Sequence, residues 1–193
     1  MSPKLNIYDP VNIRDGVYYS KLTVEDGDIN LQVKKNNLKI DPENNKAILD
    51  IDSKTAEYIN WLSKEIVSQT ADNSEKWFGK TISAEDCETI YKNALVDGVR
   101  LHCFYDENTR FYENKTTEIN HEDLSVNMSG IAMIKSAVII FTKNSFFVRW
   151  EISQFKVKNS EKPQKLVEYS IRDLDEHNTS FDIDSKIKNI SLF

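Results

Sequence analysis

Hydrophobic and polar residues alternate most clearly between Gly130 and Lys158, GIAMIKSAVIIFTKNSFFVRWEISQFKVK. Successive side chains of a strand point to opposite faces, so this stretch predicts a two-stranded hairpin. In its second strand Phe146, Val148, Trp150 and Ile152 share one face and belong in a core. The other face carries Phe147, Arg149, Glu151, Ser153 and Phe155. Two aromatic rings and a cation thus fall where solvated polar residues are expected to dominate.

Upstream, the same alternation predicts short strands at Val17–Val24, Ile29–Lys34, Leu38–Ile40 and Ala47–Ile51. Asp15-Gly16, Asp26-Gly27-Asp28, Asn36-Asn37 and Asp41-Pro42 punctuate them as turns. The period then changes. Tyr58, Ile59, Leu62 and Ile66 recur at helical spacing behind a capping Asp52 or Ser53, with an end near Ala71. Ser83 to Asp86 fits a capping box for a second helix that buries Cys87, Ile90, Tyr91, Ala94 and Leu95 and stops at Gly98. Val99–Tyr105 and Arg110–Tyr112 read as a strand pair around Asp106-Glu107-Asn108. Strands, two helices at about 53–71 and 84–96, then strands suit an α+β fold, mainly antiparallel β, built as a curved sheet or small barrel. One domain over 1–162 and an acidic, mobile tail over 163–193 complete the expected organisation.

Composition narrows the class. Hydrophobic residues at 39% and charged residues at 29%, with 5 Gly and 4 Pro, fit a globular chain and not a low-complexity one. The longest apolar run, Ala137–Phe141, is far short of a membrane span. MSPKLNIYDP lacks the apolar core of a signal peptide, so an intracellular protein with reduced Cys87 and Cys103 is expected. The net charge of -6 is unevenly spread. Residues 130–170 hold seven Lys and Arg against three Glu, whereas residues 171–193 hold three basic and five acidic side chains. The hairpin is therefore the basic part of an acidic protein, and local charge, not the total, governs what it attracts.

Enzyme signatures are sparse. The chain lacks a glycine-rich phosphate loop, HExxH and GxSxG. His102 and Cys103 are strand neighbours facing opposite ways, His121-Glu122-Asp123 lacks a second His at ligand spacing, and Asp50 and Asp52 lack the Gly and Glu of a calcium loop. No catalytic residue, metal site or cofactor is expected, and an enzyme assembled from distant carboxylates is the residual catalytic reading. The interleaving of rings and cations points instead to single-stranded nucleic acid, whose bases stack on aromatic side chains while Lys and Arg track the phosphates. Phe147, Arg149 and Phe155 supply the centre of such a surface, with Lys135, Lys143, Lys156 and Lys158 nearby. Arg100, His102, Phe104, Arg110 and Tyr112 extend it. The competing reading buries Phe147 and Phe155 beneath a helix. Trp77 and Phe78 read as core plugs, and Lys76 and Lys80 as solvated.

NSEKWFGKTIS, the capped helix with IYKNAL, and GIAMIKSAVIIFTKNSFFVRWEISQFKV together resemble a family of single-stranded DNA-binding proteins of large nucleocytoplasmic DNA viruses. The likeness covers roughly residues 55 to 158 and ends in a W-x-(I/V)-x-Q element matched by Trp150, Ile152 and Gln154. It implies an OB-like barrel with helical elaboration, no catalytic activity, and sequence-tolerant binding of single strands in viral replication, repair or recombination. Phosphate contacts would come from Arg149, Lys135, Lys156, Arg100 and Arg110, in the host cytoplasm at a viral replication site or in the nucleus. RNA is an alternative ligand, and arrays of copies along a strand fit the role. The acidic tail ending in Phe193 resembles tails that dock replication partners in other single-strand binders, although Lys186 and Lys188 interrupt its acids and favour the plainer reading of a frayed terminus. The alternative is a viral interaction or assembly factor that uses the same aromatic face for a protein partner.

Overall fold

The computed structural model describes residues 3–158. The predicted tail and Phe193 lie outside the described residues. In chain order the elements are β1 (Leu5–Ile7), β2 (Val11–Arg14), β3 (Val17–Val24), β4 (Ile29–Asp41), β5 (Lys46–Asp50), α1 (Ser53–Phe78), α2 (Ala84–Ile90), β6 (Leu95–Val96), β7 (Arg100–Phe104), β8 (Arg110–Tyr112), β9 (Glu118–Ile119), β10 (Asn127–Phe141) and β11 (Phe146–Val157). A single 3₁₀ turn at His121–Asp123 precedes β10.

Five of these strands close a barrel. β4 pairs with β5, β5 with β7, β7 with β11, β11 with β10, and β10 returns to β4. Counted along the chain as barrel strands one to five, the order around the wall is 1-2-3-5-4. Every contact is antiparallel except that of the third and fifth, β7 with β11. That order makes the fold an α+β OB-like barrel with inserted helices, here between the second and third strands. A path across the paired residues runs Asp41, Lys46, Phe104, Glu151, Lys135 and back to β4 at Asn30. The displacement along β4 is the stagger that a tilted, closed sheet requires.

Bulges let long strands serve two purposes. β10 pairs with β4 through Ser136, slips between Lys135 and Val138, and from Val138 to Phe141 pairs with β3 instead. β3 thereby extends the wall beyond the barrel, and β1 and β2 line its other side. β4 is also continuous. The expected turn at Asn36-Asn37 is strand, paired with Gly130 and Ser129 just past a bulge at positions 34–35 opposite Ile131, with Asn36 buried and its side-chain amide donating to the Val33 carbonyl at 2.7 Å. The interior is filled by Trp150, Phe111, Phe146, Phe155, Leu22, Leu38 and Leu49, all with less than 2% exposure.

The helices depart from expectation in instructive ways. α1 begins where predicted, with the Asp52 carboxylate accepting from the Thr55 amide at 2.8 Å. It passes Ala71 and ends at Phe78, with Gly79 in the left-handed region at φ 68°. The polar run Asp72-Asn73-Ser74 has weak helix propensity. Packing overrides it: Trp77 and Phe78 meet Phe141 at ring separations of 6.1 and 5.4 Å, the core-plug role predicted for them. α2 stops at Ile90, short of the predicted 96, because the chain turns extended at Tyr91. Leu95 and Val96 form β6 against β7 through Asp97-Gly98, both with positive φ. β7 and β8, predicted as a pair, instead follow one another along the same edge of β11, each parallel to it. No helix among the described residues is long and apolar enough to cross a membrane.

Candidate nucleic-acid interface

The outward faces of the barrel strands carry the residues of interest, and the register puts them in rows. On β11 the even-numbered residues Phe146 to Ile152 are buried, whereas Phe147, Arg149 and Glu151 are partly exposed. One row joins Tyr19 of β3, Ile140 of β10 and Phe147 of β11. The next joins Lys21, Val138 and Arg149. A third runs from Lys135 through Glu151 to Phe104 of β7 and Lys46 of β5.

Arg149 is the centre of these contacts. Its guanidinium carbon lies 4.6 Å from the centroid of the Phe104 ring, within range of a cation–π attraction. Its Nε donates to Glu151 Oε1 at 2.6 Å, and Lys135 Nζ lies 3.4 Å from Glu151 Oε2. One carboxylate thus holds two cations, which leaves the cluster with one net positive charge. The side chains of Arg149 and Lys135 remain 38% and 48% exposed, so the charge faces solvent. Beside them Phe104, Lys135, Arg149, Glu151 and Ser153 border a hollow of about 40 Å³. That is room for a water and far below the several hundred Å³ of a small-molecule cleft. Among the described residues no three His, Cys, Asp or Glu side chains gather as metal ligands.

Phe155 is not a stacking platform. Its exposure is 0%, and its ring packs 6.2 Å from that of Phe111. The cause is a bulge. Ile134 pairs with Ile152 but Met133 pairs with Gln154, so Ser153 is an extra residue that reverses the alternation beyond it. Phe155 turns inward and Lys156 outward. The Ser153 hydroxyl donates to the Met133 carbonyl at 3.1 Å.

The remaining predicted contacts do not gather at one place. Lys156 and Arg110 flank the far end of β11, where Gln154 pairs with Arg110 and Lys156 with Tyr112. Nine residues of strand separate Lys156 from Phe147, about 30 Å of chain. Arg100 lies four residues from Phe104 along β7, about 13 Å away. There it ion-pairs with Asp97 and borders a polar trough with Asn37, Lys39, Asp50 and Ser129. Asp50 accepts from the Asn37 amide at 3.0 Å, and Asn37 from the Ser129 hydroxyl at 2.7 Å. Tyr112, suggested as an extension, is buried.

Sequence reading missed Tyr19, Lys21 and Lys46. Tyr19 and Lys21 belong to a strand that was predicted to its exact ends, but nothing in their local pattern says that β3 docks beside β10.

No curated protein and no solved structure matches the chain. A family model does, over residues 23–173, from the end of β3 through the whole barrel and beyond it. The chain belongs to the family of unknown function DUF5871.

Proposed function

We propose that this protein binds single-stranded nucleic acid, single-stranded DNA foremost, without sequence preference and without catalysis. The observation that carries the reading is the alternation of rings and cations on the outside of an OB-like barrel: Phe147, Arg149 over Phe104, then Lys135 and Lys46. Strands two and three of such barrels, here β5 and β7, are a recurrent oligonucleotide-binding face. Stacked bases contribute roughly 1–3 kcal/mol each and the cations hold the phosphates. The resemblance to single-strand binders of large DNA viruses agrees and suggests protection of single strands during viral replication, repair or recombination.

The test is titration of the full chain into labelled oligo-dT, following anisotropy and tryptophan emission at two salt concentrations. Binding should weaken as salt rises, because bound cations are released from the strand. Phe147→Ala and Arg149→Ala should each weaken it while the far-UV spectrum is unchanged. Absence of salt-sensitive binding at micromolar protein sinks the proposal. The second reading, a docking surface for a protein partner, draws on the exposure of Val11 at 51% and Ile13 at 54% beside this face. It would be favoured if the chain ignores oligonucleotides.

A further inference from the structure

We infer that β3 supplies a second base platform, Tyr19, with Lys21 as its phosphate contact, so that a bound single strand crosses from β11 over β10 onto β3. The inference rests on the proposed single-strand binding and adds to it a path and two residues. Its basis is register. Tyr19, Ile140 and Phe147 are directly opposed on three neighbouring strands and face outward. With strands about 4.8 Å apart, the backbone positions that carry the two rings stand about 10 Å from one another. Half-buried Ile140 forms an apolar floor between them, a span that neighbouring bases of an extended strand can bridge.

The adjacent row repeats the arrangement with cations. Lys21 and Arg149 are opposed across Val138, each two residues along its strand from its aromatic partner, about 7 Å away. That is close to the reach from a base to its own backbone phosphate. Two rings and two cations therefore form a rectangle, with bases on one side and backbone on the other. Neither β3 residue is committed elsewhere. Tyr19 is 37% exposed, and the contact of Lys21 with Asp28 is long at 3.9 Å and solvated on both sides. Such a pair contributes little and yields readily to a phosphate. Tyr18 provides a built-in contrast. It is equally exposed, at 38%, yet it opposes Phe141 and Phe146 on the other face of the sheet.

The experiment measures affinity for labelled oligo-dT with the full chain and its Tyr19→Ala, Tyr19→Phe, Lys21→Gln and Tyr18→Ala variants. Melting temperatures serve as the folding control. Tyr19→Ala should weaken binding about five-fold or more, while Tyr19→Phe, which keeps the ring, retains wild-type affinity. Lys21→Gln should flatten the dependence of log affinity on log salt by about 0.7, the share of one phosphate contact on a single strand. Tyr18→Ala should change nothing. If Tyr19→Ala binds like wild type while Phe147→Ala does not, the β3 platform is overturned and single-strand binding stands. If the wild-type chain shows no salt-sensitive binding, both fall together. If Tyr19→Ala leaves binding intact but abolishes self-association in sedimentation, the row is a contact between copies and the platform is again overturned.

Discussion

Ser153 decides more about the surface than any ring on it. By inserting one residue into β11 it turns Phe155 into the core and brings Lys156 out, so the aromatic face predicted from strict alternation is cut to Phe147 and Arg149. Phe155→Ala should therefore destabilise the fold by about 3–5 kcal/mol, as loss of a buried ring does, and leave oligonucleotide affinity per folded molecule unchanged. Urea unfolding and anisotropy titration separate the two effects. Glu151 is the opposite case. Because its carboxylate ties up both Arg149 and Lys135, Glu151→Gln should bind oligo-dT more tightly than wild type and with a steeper salt dependence. Equal affinity would mean that the two cations do not contact phosphate.

At the scale of elements, the end of α1 is the least local feature of the chain. Its last turn is held by Trp77 and Phe78 on Phe141, which in turn stacks on Phe146 at 5.4 Å. The segment before β2 is fastened to the same turn. Asp9 accepts from Lys76 Nζ at 2.5 Å and from Trp77 Nε1 at 3.0 Å. The hydrogen bond from Lys76, and then that from Trp77, hold the Asp9 carboxyl below its ordinary 3.8. A carboxyl depressed by folding stabilises the folded state above its unfolded value, and that contribution is lost as pH falls through the folded value. Asp9→Asn should thus be less stable than wild type near neutral pH, by a small margin since the pair is solvated, and the difference should fade as pH drops below 3.8 and vanish only below the lower folded value. Urea midpoints across that range check it. A difference that persists in acid would assign the effect to something other than the charge.

For the molecule as a whole, closure of the barrel makes one cooperative interior. Cys87, on the buried face of α2, and Cys103, on the inner face of β7, are 0% and 1% exposed, and burial pushes both thiols up. Thiolate is the reactive form, so both should resist a thiol reagent in the native state. They should react together when urea unfolds the chain, at the midpoint seen by tryptophan emission. Early labelling of Cys87 alone would show that α2 opens as a separate unit.

The amino-acid sequence by itself determined the elements whose signals are local. The alternation of Val17–Val24 and of Phe146–Ile152, the Asp52 cap of α1, and the separation of Trp150 from Arg149 onto opposite faces all follow from spacing that neighbouring residues enforce. The α+β class followed from their order, and the OB-like barrel from the resemblance; the structure has both. Tertiary structure alone decided the rest. Whether Asn36-Asn37 turns or stays in the strand depends on Gly130 and Ser129 across the sheet, and whether Asp72-Asn73-Ser74 stays helical depends on Phe141. Whether Phe155 faces water depends on where Met133 finds its partner. Tyr19 stands beside Phe147 only because β10 exchanges β4 for β3 halfway along its length. Each of these is a contact between residues far apart in the chain, formed only once the barrel has closed.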